Sequence, residues 1–288
     1  MMQRNTATAL TLAALLTASG AAMAQAAPAA APEPAPAAPL TANVTLTTNY
    51  KFRGQDQDVI GNNGLAKTRA VKPAIQGGFD YAFGESGFYV GNWNSSVNWL
   101  AGNSIEADLY GGYKFKGGPI DWDVGVLTYI YPGNRNGNTT EIYGAGTWAN
   151  EAVGSFTLKY SHTVSKDYFG YAGNRANPNR DGRNTGYLNL AYAKEIVPKL
   201  TLKAAVGYTG MSGDIRRAGF PSYVDYNVGA FYDFGGGLSL AGSVQGANKK
   251  AAYNLLASPG VDLGFGTFGQ QFYSPNKARF IVALTKTL

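Results

Sequence analysis

The stretch from residue 71 to residue 99 constrains the fold most, because its side chains alternate in character over two unusually long runs. In the first run, Ile75 and Phe79 lie at alternate positions, and Gln76 and Asp80 fill the positions between them. Successive side chains of a β-strand point to opposite faces, so this pattern predicts a strand with one apolar and one polar face.

The second run follows a predicted tight turn at residues 84–87. Its aromatic set includes Tyr89 and Trp93, and the set between them includes Asn92 and Asn94. We therefore predict a hairpin that is aromatic outside and lined with amides inside. Strands of about 10 residues exceed the 5 or 6 that are typical of soluble sandwiches, and they suit a transmembrane barrel.

The same alternation continues along the chain and predicts an all-β fold, a transmembrane antiparallel up-and-down β-barrel of about twelve strands. The first run spans Thr41–Arg53 and the last Arg279–Leu288. By its alternation, Val124 and Leu202 are expected to face lipid, as is Trp93. The intervening residues are expected to face the interior, and they are Asn94, Asp123 and Lys203.

Long and short connections alternate between the predicted strands, as they do in outer-membrane barrels with tight periplasmic turns and longer outer loops. Both termini are then expected in the periplasm. The long connections are Gly54–Ala70, Ser165–Arg183, Gly210–Ser222 and Ala247–Ala278. Aromatic residues near both ends of the strands predict two interfacial girdles. Those near short turns include Phe83, Phe115, Trp122 and Phe234, and those near long loops include Tyr50, Phe52, Trp99, Tyr208 and Tyr226.

The composition agrees with a β-rich membrane protein. The chain has 288 residues, of which 38 are glycine and 19 tyrosine, and only 15% are charged, which is low for a soluble surface. After the N-terminus it has no apolar run of about 20 residues, which a helical span requires. It also contains no cysteine, which excludes disulfides, thiolate nucleophiles and a lipoprotein anchor.

The N-terminus predicts export. Residues 1–24 combine a basic start at Arg4, an apolar run and a small-residue cleavage pattern at Ala22–Ala24, which are typical of a signal peptide. Residues 25–40 are almost wholly alanine and proline and predict an extended periplasmic tether. The barrel is then expected to occupy residues 41–288.

Several short motifs resemble the TorF-family porins, most strongly between Thr41 and Gly146. They are Asn49–Gly54, Gln76–Tyr81, Gly87–Trp93, Asp108–Tyr113, Tyr129–Pro132 and Glu141–Gly144. The resemblance implies a proteobacterial outer-membrane β-barrel that is taken to be a porin. One departure is the final residue, Leu288, because such barrels commonly end in an aromatic residue that the barrel-assembly machinery recognises.

Charged residues of the predicted lumen are sorted by sign toward its long-loop end. Acids are expected to point inward from the fourth and sixth strands, and bases from the first and second. These pore-lining and selectivity candidates are Lys51, Arg53, Lys72, Glu106, Asp108 and Glu141. Opposed walls of this kind would set a field across a pore. Local ion pairing that merely neutralises the wall is the alternative. Nearer the short turns, Lys114 is expected to face Asp123, and Lys116 to face Asp121, as structural pairs.

The sequence thus predicts a bacterial outer-membrane porin, a narrow channel for passive diffusion of small hydrophilic solutes. An enzyme is not expected, because Ser161 and the single histidine, His162, point to opposite faces of one strand. No catalytic residue, cofactor or metal is predicted, although Asp56 and Asp58 form a weak calcium pattern. Expected partners are outer-membrane lipid, lipopolysaccharide, the solutes and the barrel-assembly machinery, but not nucleic acid.

Two other architectures stay open. One is a plugged structural or adhesive barrel that binds a partner through its long loops, with Ala247–Ala278 long enough to fold inward. The other is a soluble lectin-like sandwich.

Overall fold

The computed structural model describes residues 39–60, 69–99, 102–173, 177–254 and 273–288, which form one closed barrel. The predicted signal peptide and almost all of the tether lie outside the described residues. The strands are β1 (Leu40–Thr47), β2 (Lys51–Phe52), β3 (Gln55–Asp56), β4 (Ala74–Ala82), β5 (Phe88–Ser96), β6 (Ile105–Gly117), β7 (Ile120–Ile130), β8 (Thr139–Asn150), β9 (Gly154–Thr163), β10 (Gly186–Val197), β11 (Leu200–Gly210), β12 (Tyr223–Gly235), β13 (Leu238–Ala247) and β14 (Arg279–Thr287). The one described α-helix, α1, spans Gly213–Arg217.

Twelve of these strands form the barrel, and β2 and β3 form a separate two-stranded hairpin. Each barrel strand pairs antiparallel with its neighbours, and β1 closes the sheet against β14. In that seam Thr45 lies opposite both Gln76 and Thr285, and its hydroxyl is 2.8 Å from the Thr285 hydroxyl. Closure pairs the backbone of every barrel strand on both sides, which a bilayer requires. The predicted barrel of twelve strands is therefore confirmed.

The outer face of the barrel is apolar, as the alternation predicts. Val124 and Leu202 are each 42% exposed on it, whereas Lys203 is buried inside and Asp123 is half-buried. An apolar surface that encircles the whole sheet far exceeds the exposed patches of soluble monomers, and it fits a lipid environment. No described helix is both long and apolar enough to cross a membrane.

Strand β5 contradicts the predicted faces. Trp93 is only 3% exposed and points into the barrel, where its ring packs edge-on against Tyr50 at 5.5 Å. Asn92 and Asn94 lie on the outer face instead. They are tolerated there because their amides bond to each other and to the carbonyls of Asp108 and Gly77. Local hydrogen bonds and interior packing thus override the simple rule of polarity.

The barrel has a short-turn end and a long-loop end. The start of β1 and the end of β14 lie at the short-turn end, since Leu40 pairs with Tyr81 and Thr287 with Asn43. Exposed aromatics ring this end, and they are Phe83, Phe115, Trp122 and Phe234. At the long-loop end only part of the expected girdle is exposed. Tyr208 and Tyr226 face outward, but Tyr50, Phe52 and Trp99 are buried inside the molecule.

Candidate functional site

The main feature of the lumen is a stretch of chain, residues 49–60, that turns inward after β1; we call it the inward segment. The sequence predicts a first strand over Thr41–Arg53, but β1 ends at Thr47. Every residue of the inward segment except Asp58 is buried. It contains the β2–β3 hairpin, in which Lys51 pairs with Asp56. Lys51 and Arg53 therefore lie on a hairpin inside the barrel, and Lys72 precedes β4, so none of the three is on a barrel strand.

A tight turn at Arg53 and Gly54 forms the tip of the hairpin. Both residues have positive φ, +45° and +76°, the pattern of a two-residue type I′ hairpin. A Cβ atom on Gly54 would lie 2.6 Å from the carbonyl oxygen of Gly246, because the tip presses against β12 and β13. Glycine is therefore required at position 54. Arg53 adopts a left-handed conformation that costs a non-glycine residue about 1–3 kcal/mol.

Contacts of Arg53 hold that conformation in the middle of the lumen. Its Nη2 atom lies 2.6 Å from Oε2 of Glu141 on β8, in a pair whose side chains are almost completely buried. Its guanidinium group also stacks over the Tyr187 ring of β10 at 4.2 Å and donates to the Tyr168 hydroxyl at 3.5 Å. The hairpin tip thus bridges opposite parts of the barrel wall.

Asp56 is the second anchor of the inward segment. Lys51 and Lys72 each place their ammonium nitrogen 2.9 Å from one of its carboxylate oxygens, and all three side chains have no exposed surface. Arg279 of β14 places its Nε atom 3.6 Å from the same carboxylate. The Tyr273 hydroxyl accepts hydrogen bonds from Lys72 at 2.6 Å and from Arg279 at 3.0 Å. Three cations therefore converge on one carboxylate.

Burial affects the acidity of these ammonium groups. It lowers the pKa of Lys51 to about 8 and also lowers the pKa of Lys72, while the Asp56 carboxylate opposes part of the effect in both. Withdrawal from water disfavours the charged form of each lysine, so the hairpin is held by ion pairs that carry a large desolvation cost.

Tyrosine hydroxyls, rather than cations, partner most lumen carboxylates. Glu106 accepts hydrogen bonds from Tyr50 at 2.7 Å and from Tyr131 at 2.5 Å. The other pairs are Tyr110 to Asp80, Tyr89 to Asp123 and Tyr187 to Asp225. Neutral donors therefore bind these four carboxylates, whereas Glu141 is paired with the Arg53 guanidinium.

Aromatic rings from several loops seal the long-loop end around the hairpin. Phe52 packs against Tyr129 and Phe169 at 5.4 and 5.2 Å, and Phe169 packs against Tyr168 at 4.9 Å. The contacts continue through further rings of other loops, namely Tyr171, Phe220, Tyr223 and Tyr253. Every ring of this cluster except that of Tyr171 is buried.

The lumen is more open toward the short-turn end. Several inward-facing polar side chains there are half-buried, and they include Asn43, Lys114, Asp123 and Lys159, whereas Asp80, Lys203 and Ser239 are buried. Lys114 lies opposite Asp123, and Lys116 opposite Asp121 with an ion pair at 2.6 Å, which confirms both predicted pairings. The barrel therefore has partly exposed polar side chains beneath the inward segment, and we call this region the vestibule.

The six candidate selectivity residues all lie inside the barrel near the inward segment, and all are buried. The structure brings them together in groups: Arg53 with Glu141, Lys51 with Lys72 through Asp56, and Glu106 against the tyrosines. Asp108 lies on the same inward face of β6 as Glu106. The sequence reasoning missed Tyr110, although it shares the alternation of Glu106 and Asp108 and could have been placed inside by it.

The sequence placed Asp56 in a weak calcium pattern, but its meeting with Arg279 and Tyr273 was missed, because it depends on how loops fold into the lumen. No group of three or more histidine, cysteine, aspartate or glutamate side chains in the described part of the chain could hold a metal ion.

Known proteins resemble the chain in fold more than in sequence. No curated protein matches it. Two solved structures match the chain at a TM-score of 0.51 and 10% identity, and each match covers 98% of the solved chain. They are the KdgM porin in complex with disordered oligogalacturonate, which matches over 85% of this chain, and the NanC porin, which matches over 86%. The porin-like barrel implied by the TorF-family resemblance is thereby confirmed, but not the TorF label itself. Residues 31–264 match a family model described as a bacterial protein of unknown function (Gcw_chp), and the chain belongs to that family.

Proposed function

We propose that the protein is an outer-membrane channel for passive diffusion of small hydrophilic solutes, in which the inward segment sets the width of the pathway. The observation that supports this proposal is the polar vestibule beneath that segment. A barrel that only needed to be stable would gain by filling its interior, as barrels of about eight strands do. Here half-buried charged and amide groups line a space that water reaches.

The chemistry of the inward segment also favours a movable element. Buried ion pairs such as Arg53–Glu141 stabilise a structure no better than well-packed apolar residues of the same volume. Ion pairs differ from apolar contacts when the contact opens, because the freed charges regain their hydration. A hairpin anchored by Lys51, Arg53 and Asp56 can therefore leave the lumen at a lower cost than an apolar one.

In this proposal the six predicted residues act on selectivity while the inward segment is docked and narrows the pathway. The cations of the segment and of its anchor then face the acids on β6 and β8 across the lumen. The two groups are Lys51, Arg53 and Lys72, and Glu106, Asp108 and Glu141. We also propose that the protein is related to the TorF-family porins and that its outer loops contact lipopolysaccharide.

A second candidate is a plugged structural or adhesive barrel, and the aromatic cluster at the long-loop end favours it. Phe52, Tyr129 and Phe169 close that end as a protein core would. The sequence assigned the plugging role to Ala247–Ala278, of which residues 255–272 lie outside the described part. The described ends of that stretch contribute buried residues, including Tyr273 and Asn276, and the inward segment occupies the long-loop end of the described lumen.

Planar-bilayer recording separates the two candidates. We expect wild-type protein to show small, discrete conductance steps, and a variant with residues 51–57 replaced by a glycine–serine linker to show larger ones. Replacing Lys51 and Arg53 with glutamine should also shift the reversal potential toward cation preference. Silence from both the wild type and the linker variant, each folded by circular dichroism, would instead establish the plugged barrel.

A further inference from the structure

The barrel wall and its adjoining loops hold a basic cradle around the Asp56 carboxylate. We define the basic cradle as Lys72, Tyr273 and Arg279, none of which belongs to the inward segment. Lys72 reaches one carboxylate oxygen at 2.9 Å, Arg279 approaches that oxygen at 3.6 Å, and Tyr273 bonds to both cations. The cradle is thus built by β14 and two adjoining loop residues, and only the carboxylate comes from the hairpin.

The charges in this region do not balance. Lys51, Lys72 and Arg279 face the single carboxylate of Asp56, and Asp58 adds a weaker negative charge near Lys72. In addition, Nε of Arg279 is buried and has no hydrogen-bond acceptor among the described residues. When the hairpin leaves, Asp56 and Lys51 leave together, and the two cations of the cradle stay behind.

We propose that the basic cradle is a binding site for the carboxylate of a hydrophilic solute, and that Asp56 occupies it as an internal substitute. This inference rests on the proposed function and names the class of solute that the channel takes. The cradle already holds a carboxylate, that of Asp56, through charge-assisted contacts. Its cations are therefore positioned to bind the carboxylate of a solute.

Occupancy of the cradle then couples the solute to the opening of the pathway. A displaced hairpin would leave the like charges of Lys72 and Arg279 close together without a counter-charge, and their mutual repulsion is unfavourable. An arriving carboxylate removes that cost, whereas a neutral solute does not. Carboxylate solutes therefore shift the hairpin toward its displaced state, because they bind that state preferentially.

The test uses glucuronate and glucose, which share a sugar ring and differ by one carboxylate. Binding of each to the full chain in detergent micelles is measured by isothermal titration. We expect Asp56→Asn to bind glucuronate at least tenfold more tightly than the wild type, and both to bind glucose negligibly. Adding Lys72→Gln or Arg279→Gln to Asp56→Asn should abolish the gain.

Glu141→Gln is a second test, since it loosens the tip of the same hairpin and leaves the cradle residues unchanged. It should also raise glucuronate affinity, because Asp56 then leaves the cradle more often, and adding Lys72→Gln should abolish this gain; a gain that survives Lys72→Gln would overturn the proposal. Equal affinity of the wild type and Asp56→Asn would also overturn it. If Asp56→Asn fails to fold, the linker variant of residues 51–57, which retains the cradle, should show the same tighter binding.

The binding readout is independent of conductance. Glucuronate binding without conductance steps would support the cradle and reject the channel. Conductance steps without glucuronate binding would support the channel and reject the cradle.

Discussion

Replacing Glu141 with glutamine should release the inward segment without unfolding the barrel. The change leaves the Arg53 guanidinium buried and without its counter-ion, since the two groups are 2.6 Å apart with almost no exposed surface. Removing one partner of such a pair costs about 3–5 kcal/mol. The hairpin avoids this cost by leaving the lumen, because Arg53 then becomes hydrated while the strand pairings of the barrel persist.

The size of the effect follows from these energies. A change of 1.4 kcal/mol is tenfold in an equilibrium, so the ratio of docked to displaced hairpin should fall by about two orders of magnitude or more. Glutamine at position 141 retains a hydrogen-bond acceptor for Arg53, which places the expected change at the lower end of this range. Strain in the left-handed Arg53 adds to the tendency to leave.

Single-channel recording measures the effect as the fraction of time spent at the larger conductance level. We expect this fraction to rise strongly in Glu141→Gln. The double variant Arg53→Gln/Glu141→Gln removes both charges and should return toward the wild-type fraction, because no uncompensated charge remains. An unchanged open fraction in a Glu141→Gln protein with wild-type circular dichroism would refute the idea that this ion pair holds the hairpin.

Four further predictions follow from local geometry. Docking lowers the pKa of Lys51 from 10.5 to about 8, so between these pH values the docked hairpin binds fewer protons than the displaced one. Raising the pH through this range should therefore favour docking and shorten the channel openings. Lys51→Met should weaken this pH dependence. Gly54→Ala should displace the hairpin and enlarge the conductance steps, because its Cβ would meet the Gly246 carbonyl at 2.6 Å. Gly78→Ala should prevent barrel assembly, seen as loss of β-sheet circular dichroism, because its Cβ would lie 1.9 Å from a carbonyl oxygen of the neighbouring strand. Mass spectrometry of exported protein should find the mature N-terminus after Ala24, and an intact N-terminus would contradict the predicted signal peptide.

The barrel could be predicted from the sequence because its evidence is local and repeated. Alternation with a period of two, sustained over strands of 8–13 residues, leaves few other folds open. The cross-strand pair of Lys114 and Asp123 could be placed as well, since a short turn sets the register of its hairpin. The same reasoning correctly placed Glu106 and Glu141 on the inner face.

The inward segment could not be predicted in this way. Lys51 and Phe52 continue the alternation of β1, so the pattern extends past the point where the strand ends at Thr47. What turns the chain inward is the sum of distant contacts, such as Arg53 with Glu141. An alternation with a period of two also cannot decide which of the two alternating sets of side chains faces the interior when each set suits either face. On β5 the interior position of Trp93 depends on Tyr50, a residue of the inward segment itself.

The sequence separation of the hairpin contacts has a consequence for biogenesis. Lys51 donates a hydrogen bond to the carbonyl of Pro275, 224 positions further along the chain, and Gly54 rests against residues of β12 and β13. These contacts cannot form until the C-terminal strands arrive, so docking belongs to the final stage of maturation. A protein whose last strand fails to join β1 would keep its hairpin undocked, which makes a docked hairpin a mark of completed folding.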